Sequence, residues 1–241
     1  MSDCTCQGKS IGGGVLWLVV ALFPQRIVED RLSCQSIEGD RHWRRASGAG
    51  NRDGTLLSGL LYGYPELDEL PRAGIVHRLD RDTSGCLVVA KRRSVLRALH
   101  AMLRQKQVEK VYLALLKGRW RGSVRRVEAS LRKNLLQSGE RMVQVVEDGR
   151  SALTEFRAVQ QAELVTLARV TPTTGRTHQI RVHAAHLGHP VAGDEKYGDS
   201  DFNARLRDAG LRRLFLHAWE LRFVHPLADG ELYLRAPLDE E

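Results

Sequence analysis

Five consecutive apolar residues, Cys86-Leu87-Val88-Val89-Ala90, follow directly on the turn-forming Thr83-Ser84-Gly85. A run so short and so free of polar interruption fits a strand covered on both faces better than a helix. The surrounding pattern is read outward from this strand. Residues 56–62 have helical character and are stopped by Gly63 and Pro65, and Pro71-Arg72-Ala73-Gly74 turns the chain into Ile75-Val76. Beyond the strand, Val95, Leu99, Met102 and Leu103 recur at helical spacing, with Arg93, Arg97 and Arg104 on other faces. Residues 111–116, 153–159, 164–170, 215–223 and 231–236 read as strands with partial alternation. Strands outnumber helices and do not alternate with them regularly, so the predicted class is α+β, with a mixed, largely antiparallel sheet and flanking helices.

The 241 residues can bury a sizeable core without disulfides or metals. Cys4, Cys6, Cys34 and Cys86 form neither a CxxC pair nor a secreted framework, which predicts a reducing, cytoplasmic setting. The longest apolar stretch near the N-terminus, 15–23, falls well short of the ~20 residues a membrane helix needs. It reads as a core strand or an unstructured run, and no membrane association is expected. Gly8-Lys9-Ser10 resembles the end of a P-loop, but Asp3 stands where its first glycine belongs.

Charge is concentrated in one place. Lys and Arg number 37 against 29 Asp and Glu, for a net +8, and residues 91–133 hold 14 of the basic residues with only Glu109 and Glu128 opposing them. A surface of that breadth suits a polyphosphate strand, which binds by releasing counterions, more than a small acidic molecule. The plainer reading is an Arg-rich solvated face.

Reactive side chains cluster twice. His77-Arg78-Leu79-Asp80-Arg81-Asp82-Thr83-Ser84-Gly85 lies between a turn and the buried strand, a usual setting for a site. Arginines beside Asp80 and Asp82 favour the ionised carboxylate a nucleophile or base requires, and composition does not choose between the two acids. A charged turn that only caps the following chain is equally compatible. The second cluster, residues 173–183, opens a predicted helix with apolar Ile180, Ala184 and Leu187, stopped at Gly188 and Pro190, placing Arg176 in its first turn. Such an end suits an anion, whether phosphate or protein carboxylate. His178, His183, His186 and His189 match no metal-ligand spacing of known mechanism, so no metal is expected. Tyr112, in an otherwise apolar strand, either packs with one hydrogen-bond partner or stacks on a base.

Taken in order, Gly74 to Gly85, Lys110-Val111-Tyr112-Leu113-Ala114, Thr174 to His183 and Leu216-His217-Ala218 resemble the ordered motifs of the RluA family of RNA pseudouridine synthases, over about residues 48–237. The resemblance implies the catalytic fold of that family and an isomerase that needs no cofactor. It implies that Asp80 is the catalytic aspartate, Arg176 its basic partner and Tyr112 the ring against the flipped uracil. Arg78 would intrude into the base stack, with His77, Arg81, His178 and Arg181 as further RNA contacts, and Asp82 would only support. Residues 133–141 and 197–203 resemble the branch acting on large-subunit ribosomal RNA known as RluC-type, whereas 48–51 with 71–74 are closer to the RluD-type. The expected partner is therefore large-subunit ribosomal RNA, with no obligate protein partner.

The likeness starts abruptly. Arg44-Arg45-Ala46-Ser47 stands where the family carries Lys-Pro-x-Gly, and an S4-like RNA-binding domain is not expected before Gly48. Residues 48–241 are read as the catalytic domain without its first strand, and 1–47 as a segment from a wrong start or a frameshift. A non-catalytic RNA-binding remnant of the same fold is the alternative reading.

Overall fold

Residues 6–7, 17–22, 27–30, 56–135, 141–226 and 230–238 are described by the structure, a computed structural model. In chain order the elements are β1 (Cys6–Gln7), β2 (Trp17–Leu22), β3 (Ile27–Asp30), α1 (Leu56–Gly63), β4 (Ser84–Ala90), α2 (Arg93–Arg104), β5 (Glu109–Lys117), β6 (Val124–Glu128), β7 (Leu131–Leu135) and β8 (Arg141–Val145). They continue with β9 (Leu153–Gln161), β10 (Val165–Pro172), α3 (Gln179–His186), α4 (Ser200–Asp208), β11 (Leu216–Val224) and β12 (Glu231–Arg235). The α+β class holds. The chain divides into two compact units, residues 1–109 with 218–241, and residues 110–217.

In the first unit β4 is buried at every position, as its unbroken apolar run requires. On one side it pairs antiparallel with β2, which pairs antiparallel with β3, and on the other it neighbours β11. The strand reading of 15–23 thus corresponds to β2. β11 pairs antiparallel with β12, and β12 with β1. The helix read from residues 95–103 is α2. Its buried Val95, Leu96 and Leu99 pack with Val88 and Ala90 of β4, Phe223 of β11 and Leu234 of β12, while Arg93, Arg97 and Arg104 are exposed. Burying three such side chains stabilises the unit by on the order of 5 kcal/mol.

The second unit is built on an antiparallel sheet in the order β5-β10-β9-β6. Register places Tyr112 opposite Val170, Ala114 opposite Ala168, and Val170 opposite Phe156. This face forms one core with Ile180 and Ala184 of α3, Trp120 and Leu214, to which Tyr112 contributes from the edge. The β7–β8 hairpin packs Leu131 and Val143 on Val182 of α3, the side away from that core. Over residues 179–184 α3 is therefore buried all round rather than on the single stripe of Ile180, Ala184 and Leu187 that its spacing suggests. It also starts later. The helix opens at Gln179, three residues past Arg176, so Arg176 lies in the preceding loop and not in the first turn. Gly188, with φ of +77°, follows its end as expected.

Candidate active site

In the first unit, residues 77–85 form a loop fixed at both ends by close backbone approach. A Cβ on Gly74 would lie 2.0 Å from the Ala90 carbonyl oxygen, and one on Gly85, at φ +109°, 2.2 Å from that of Ala218. Only glycine fits either place. The Val76 N–H donates to the Val88 carbonyl at 3.1 Å, and the Val88 N–H donates back to Nε2 of His77 at 3.2 Å. His77 is therefore a neutral ring with its proton on Nδ1, holding the loop to β4.

A tight turn follows, closed by the Thr83 N–H donating to the Asp80 carbonyl at 3.0 Å. It separates the two acids that composition leaves equivalent. The Asp80 side chain is 16% exposed, with Nη2 of the outward-facing Arg78 3.9 Å from Oδ1, whereas Asp82 is 51% exposed and pairs with Arg81 at 3.2 Å. A carboxylate shielded but reachable beside a cation is the better equipped for chemistry.

In the second unit, the loop before α3 is shaped by Gln179, 4% exposed. Its Oε1 accepts the Thr174 hydroxyl at 2.6 Å and the Arg176 N–H at 3.0 Å. Its Nε2 donates to the Leu153 carbonyl at 3.0 Å and to Oγ1 of Thr154 at 2.9 Å. All four hydrogen-bonding positions of the carboxamide are filled. Thr154 passes the network to Nδ1 of His183 at 2.9 Å, while Nε2 of His183 meets the Ala129 carbonyl at 3.1 Å. That carbonyl can only accept, so the proton sits on Nε2, and burial keeps the ring below the usual histidine range despite the carbonyl's opposing pull. The exposed Arg176 guanidinium donates through Nε to the Ser151 carbonyl at 3.3 Å and leaves its other nitrogens outward.

The other predicted contacts in this unit have different surroundings. His178 adopts φ +52°, with Nδ1 2.8 Å from the Tyr197 hydroxyl, which accepts the Val143 N–H at 3.0 Å. Arg181, expected at RNA, is 7% exposed and gives two 2.7 Å hydrogen bonds to the carboxylate of buried Asp194. Reaching RNA would require breaking a bidentate buried pair, so in this structure Arg181 braces the 194–197 turn. Burial works to raise the Asp194 carboxyl, but Arg181 and the N–H groups of Tyr197 and Lys196 overcome it and hold the group below its ordinary range. Among the described residues no group of three His, Cys, Asp or Glu is placed to hold a metal.

Tyr112, half-buried, ends the core row Leu116-Ala114-Tyr112 on β5, and Lys110 follows it on the same face. A Cβ on Gly175 would lie 3.3 Å from Nζ of Lys110. Nζ of Lys110 thus lies close to the loop bearing Arg176. Burial draws its ammonium below the usual lysine range. Gln179 and Lys110 were both visible within the motifs, but nothing in their spacing distinguishes a hub from a neighbour.

An α+β chain with a shielded aspartate on a loop of one unit, and an arginine loop and a strand tyrosine in the other, matches an established family. Residues 53–186 fit the family model described as RNA pseudouridylate synthase, and the chain belongs to that family. More particular relatives are the proteins named ribosomal large subunit pseudouridine synthase C. That of Haemophilus ducreyi is 50% identical over 197 residues, 81% of this chain and 62% of the relative. That of Escherichia coli K12 is 48% identical over 200 residues, 81% of this chain and 63% of the relative. The chain therefore spans about three-fifths of the length of these relatives. Among solved structures, human RNA pseudouridylate synthase domain containing 1 matches with a TM-score of 0.66 and 26% identity, covering 95% of this chain and 86% of that one.

Proposed function

We propose that this protein isomerises uridine to pseudouridine in large-subunit ribosomal RNA, with Asp80 as the catalytic carboxylate. The observation that carries the reading is the unequal setting of the two loop acids, with Asp80 shielded beside Arg78 and Asp82 in solvent. In this reaction the C1′–N1 bond breaks, the uracil turns, and C1′ bonds to C5, while C5 loses a proton and N1 gains one. No water, electron or phosphate is exchanged, so a single ionised carboxylate suffices whether it adds to the sugar or removes a sugar proton. Tyr112 is assigned to the face of the flipped uracil and Arg176, as the family resemblance implies, to the role of basic partner in the reaction. The outward Arg78 is assigned to the place the base vacates, since extrusion costs a few kcal/mol of stacking.

The ribosomal RNA substrate rests on the relatives' names and on the basic stretch 91–133, much of it exposed, including Arg97, Arg104, Arg121 and Lys133. No helix among the described residues is long and apolar enough to cross a membrane; the proposed setting is the cytoplasm. The test is incubation of the full chain with unmodified large-subunit ribosomal RNA, followed by carbodiimide labelling and primer extension. Pseudouridine at defined positions, made in the presence of a chelator and abolished by Asp80→Asn, is the expected result. RNA binding without any new pseudouridine would instead identify a non-catalytic remnant.

A further inference from the structure

Lys110 is a cation without an assignment. Among the described residues its ammonium has neither a carboxylate partner nor a hydrogen-bond acceptor, and burial is the only influence acting on its proton affinity. A half-buried ammonium left unpaired is unfavourable unless something outside the chain completes it. The described groups around it within residues 110–217 offer no carboxylate. Tyr112 shares its face of β5, Gly175 lies beside Nζ, and the next charged side chain along that loop is Arg176, another cation. Register puts Arg169 of β10 with Leu113, on the opposite face, and Arg157 and Glu155 of β9 lie on that face too. Glu155 is already held there by Arg126 and Arg157.

Position indicates the kind of anion. Lys110 lies two residues beyond Tyr112 towards the open end of the row, roughly 7 Å along the strand. A backbone phosphate is separated from its own base by about that much. A compact ammonium is also well suited to a single phosphate oxygen approached as a point charge. We propose that Lys110 binds an RNA phosphate adjoining the flipped nucleotide, and that Gly175 lacks a side chain so that this ammonium can reach it. The assignment rests on the function proposed above, specifically on Tyr112 facing the base.

The experiment measures steady-state isomerisation and RNA binding by the full chain and by Lys110→Met and Lys110→Arg, with unmodified large-subunit ribosomal RNA transcribed in vitro. Losing one charged phosphate contact is expected to raise KM roughly tenfold with kcat little changed, since the contact is made equally before and during reaction. The slope of log affinity against log salt should fall by about 0.7 to 0.9, one phosphate's share. Lys110→Arg should restore both. KM of the unsubstituted chain should climb at alkaline pH below the range in which lysines usually deprotonate, and Lys110→Arg should remove that rise. Binding is repeated in an Asp80→Asn background, where turnover does not intervene. An unchanged KM and salt slope in Lys110→Met overturns the proposal while leaving the function intact, as does a kcat loss that arginine fails to rescue. A chain that neither binds nor isomerises the RNA overturns the function and this assignment with it.

Discussion

The side-chain oxygen of Gln179 accepts the backbone N–H of Arg176 at 3.0 Å, so a buried amide on the first residue of α3 sets the path of the loop that carries the exposed guanidinium. Replacing Gln179 by Leu keeps the volume but takes one partner each from the Thr174 hydroxyl, the Arg176 N–H, the Leu153 carbonyl and the Thr154 hydroxyl, leaving the last two with the Thr173 N–H and His183. The expected loss is about 2–4 kcal/mol in urea denaturation, since several buried groups lose partners together. The rate on RNA should fall further than folding explains, by tenfold or more at temperatures where the variant is folded, because an ångström of displacement at a reacting group is costly. A variant with full kcat would show that the loop holds its path without the amide.

Arg181 and Asp194 form a buried bidentate pair, and its pH dependence has a definite sign. The Asp194 carboxyl is held below its ordinary range, so it gives stability above about pH 4 that is lost as pH falls through its lower folded value. Asp194→Asn removes the charge and should cost about 3–5 kcal/mol at neutral pH by leaving the buried guanidinium without its carboxylate. It should also flatten the acid limb of the urea midpoint against pH. Equal acid limbs for the two proteins would assign the acid transition to other carboxylates, such as Glu220 with Tyr233 and Arg235.

The buried strand 86–90, α2, and the later strands were legible because apolar residues set their period, and one face or both is buried. The β7–β8 hairpin and α4 were not. β7 reads Leu-Arg-Lys-Asn-Leu, too charged to show alternation, and α4 buries only Phe202 and Asn203. What fixes α4 is polar, with Asp199 capping it by accepting the Phe202 N–H at 2.8 Å and pairing with Lys117. α3 misled for a related reason. Gln179, Arg181 and His183 count as polar in any periodicity, yet all are buried because each polar atom finds a partner from a distant strand or turn. The RNA contact expected of Arg181 came from the family resemblance, and a buried ion pair 13 residues apart leaves no mark in local spacing. The loop holding Asp80 was legible as a site, whereas the difference between its two acids needed coordinates.

Gly85 is the tightest point beneath that loop. Alanine there would have to hold φ near +109° with its Cβ about 2.2 Å from the Ala218 carbonyl oxygen, so β4 and β11 must separate or the loop must shift. Gly85→Ala is expected to destabilise the protein by at least about 2 kcal/mol and to lower its yield on expression. Gly122→Ala meets no atom within 4 Å, although φ is +85°, and serves as the control for backbone strain without a clash. If the two variants unfold at the same urea concentration, close approach to Ala218 is not what requires glycine.

The two acids of the 77–85 loop should respond differently to the same small change. Asp80→Asn removes charge from a shielded carboxylate, and an amide can neither add to the sugar nor take its proton, so the isomerisation rate is expected to fall by a factor of about 10³ or more. Asp82→Asn removes charge from a side chain that is half exposed and paired only with exposed Arg81, where the interaction is worth about 1 kcal/mol or less. Its rate should stay within about tenfold of the unsubstituted chain, a loss of at most ~1.4 kcal/mol in the barrier. Both variants should unfold at nearly the same urea concentration as the parent, because the turn is closed by the Thr83 N–H donating to the Asp80 carbonyl, which either substitution keeps. Single-turnover assays on one RNA preparation make the comparison directly, and an order in which Asp82→Asn is the slower enzyme would move the chemistry to the exposed acid.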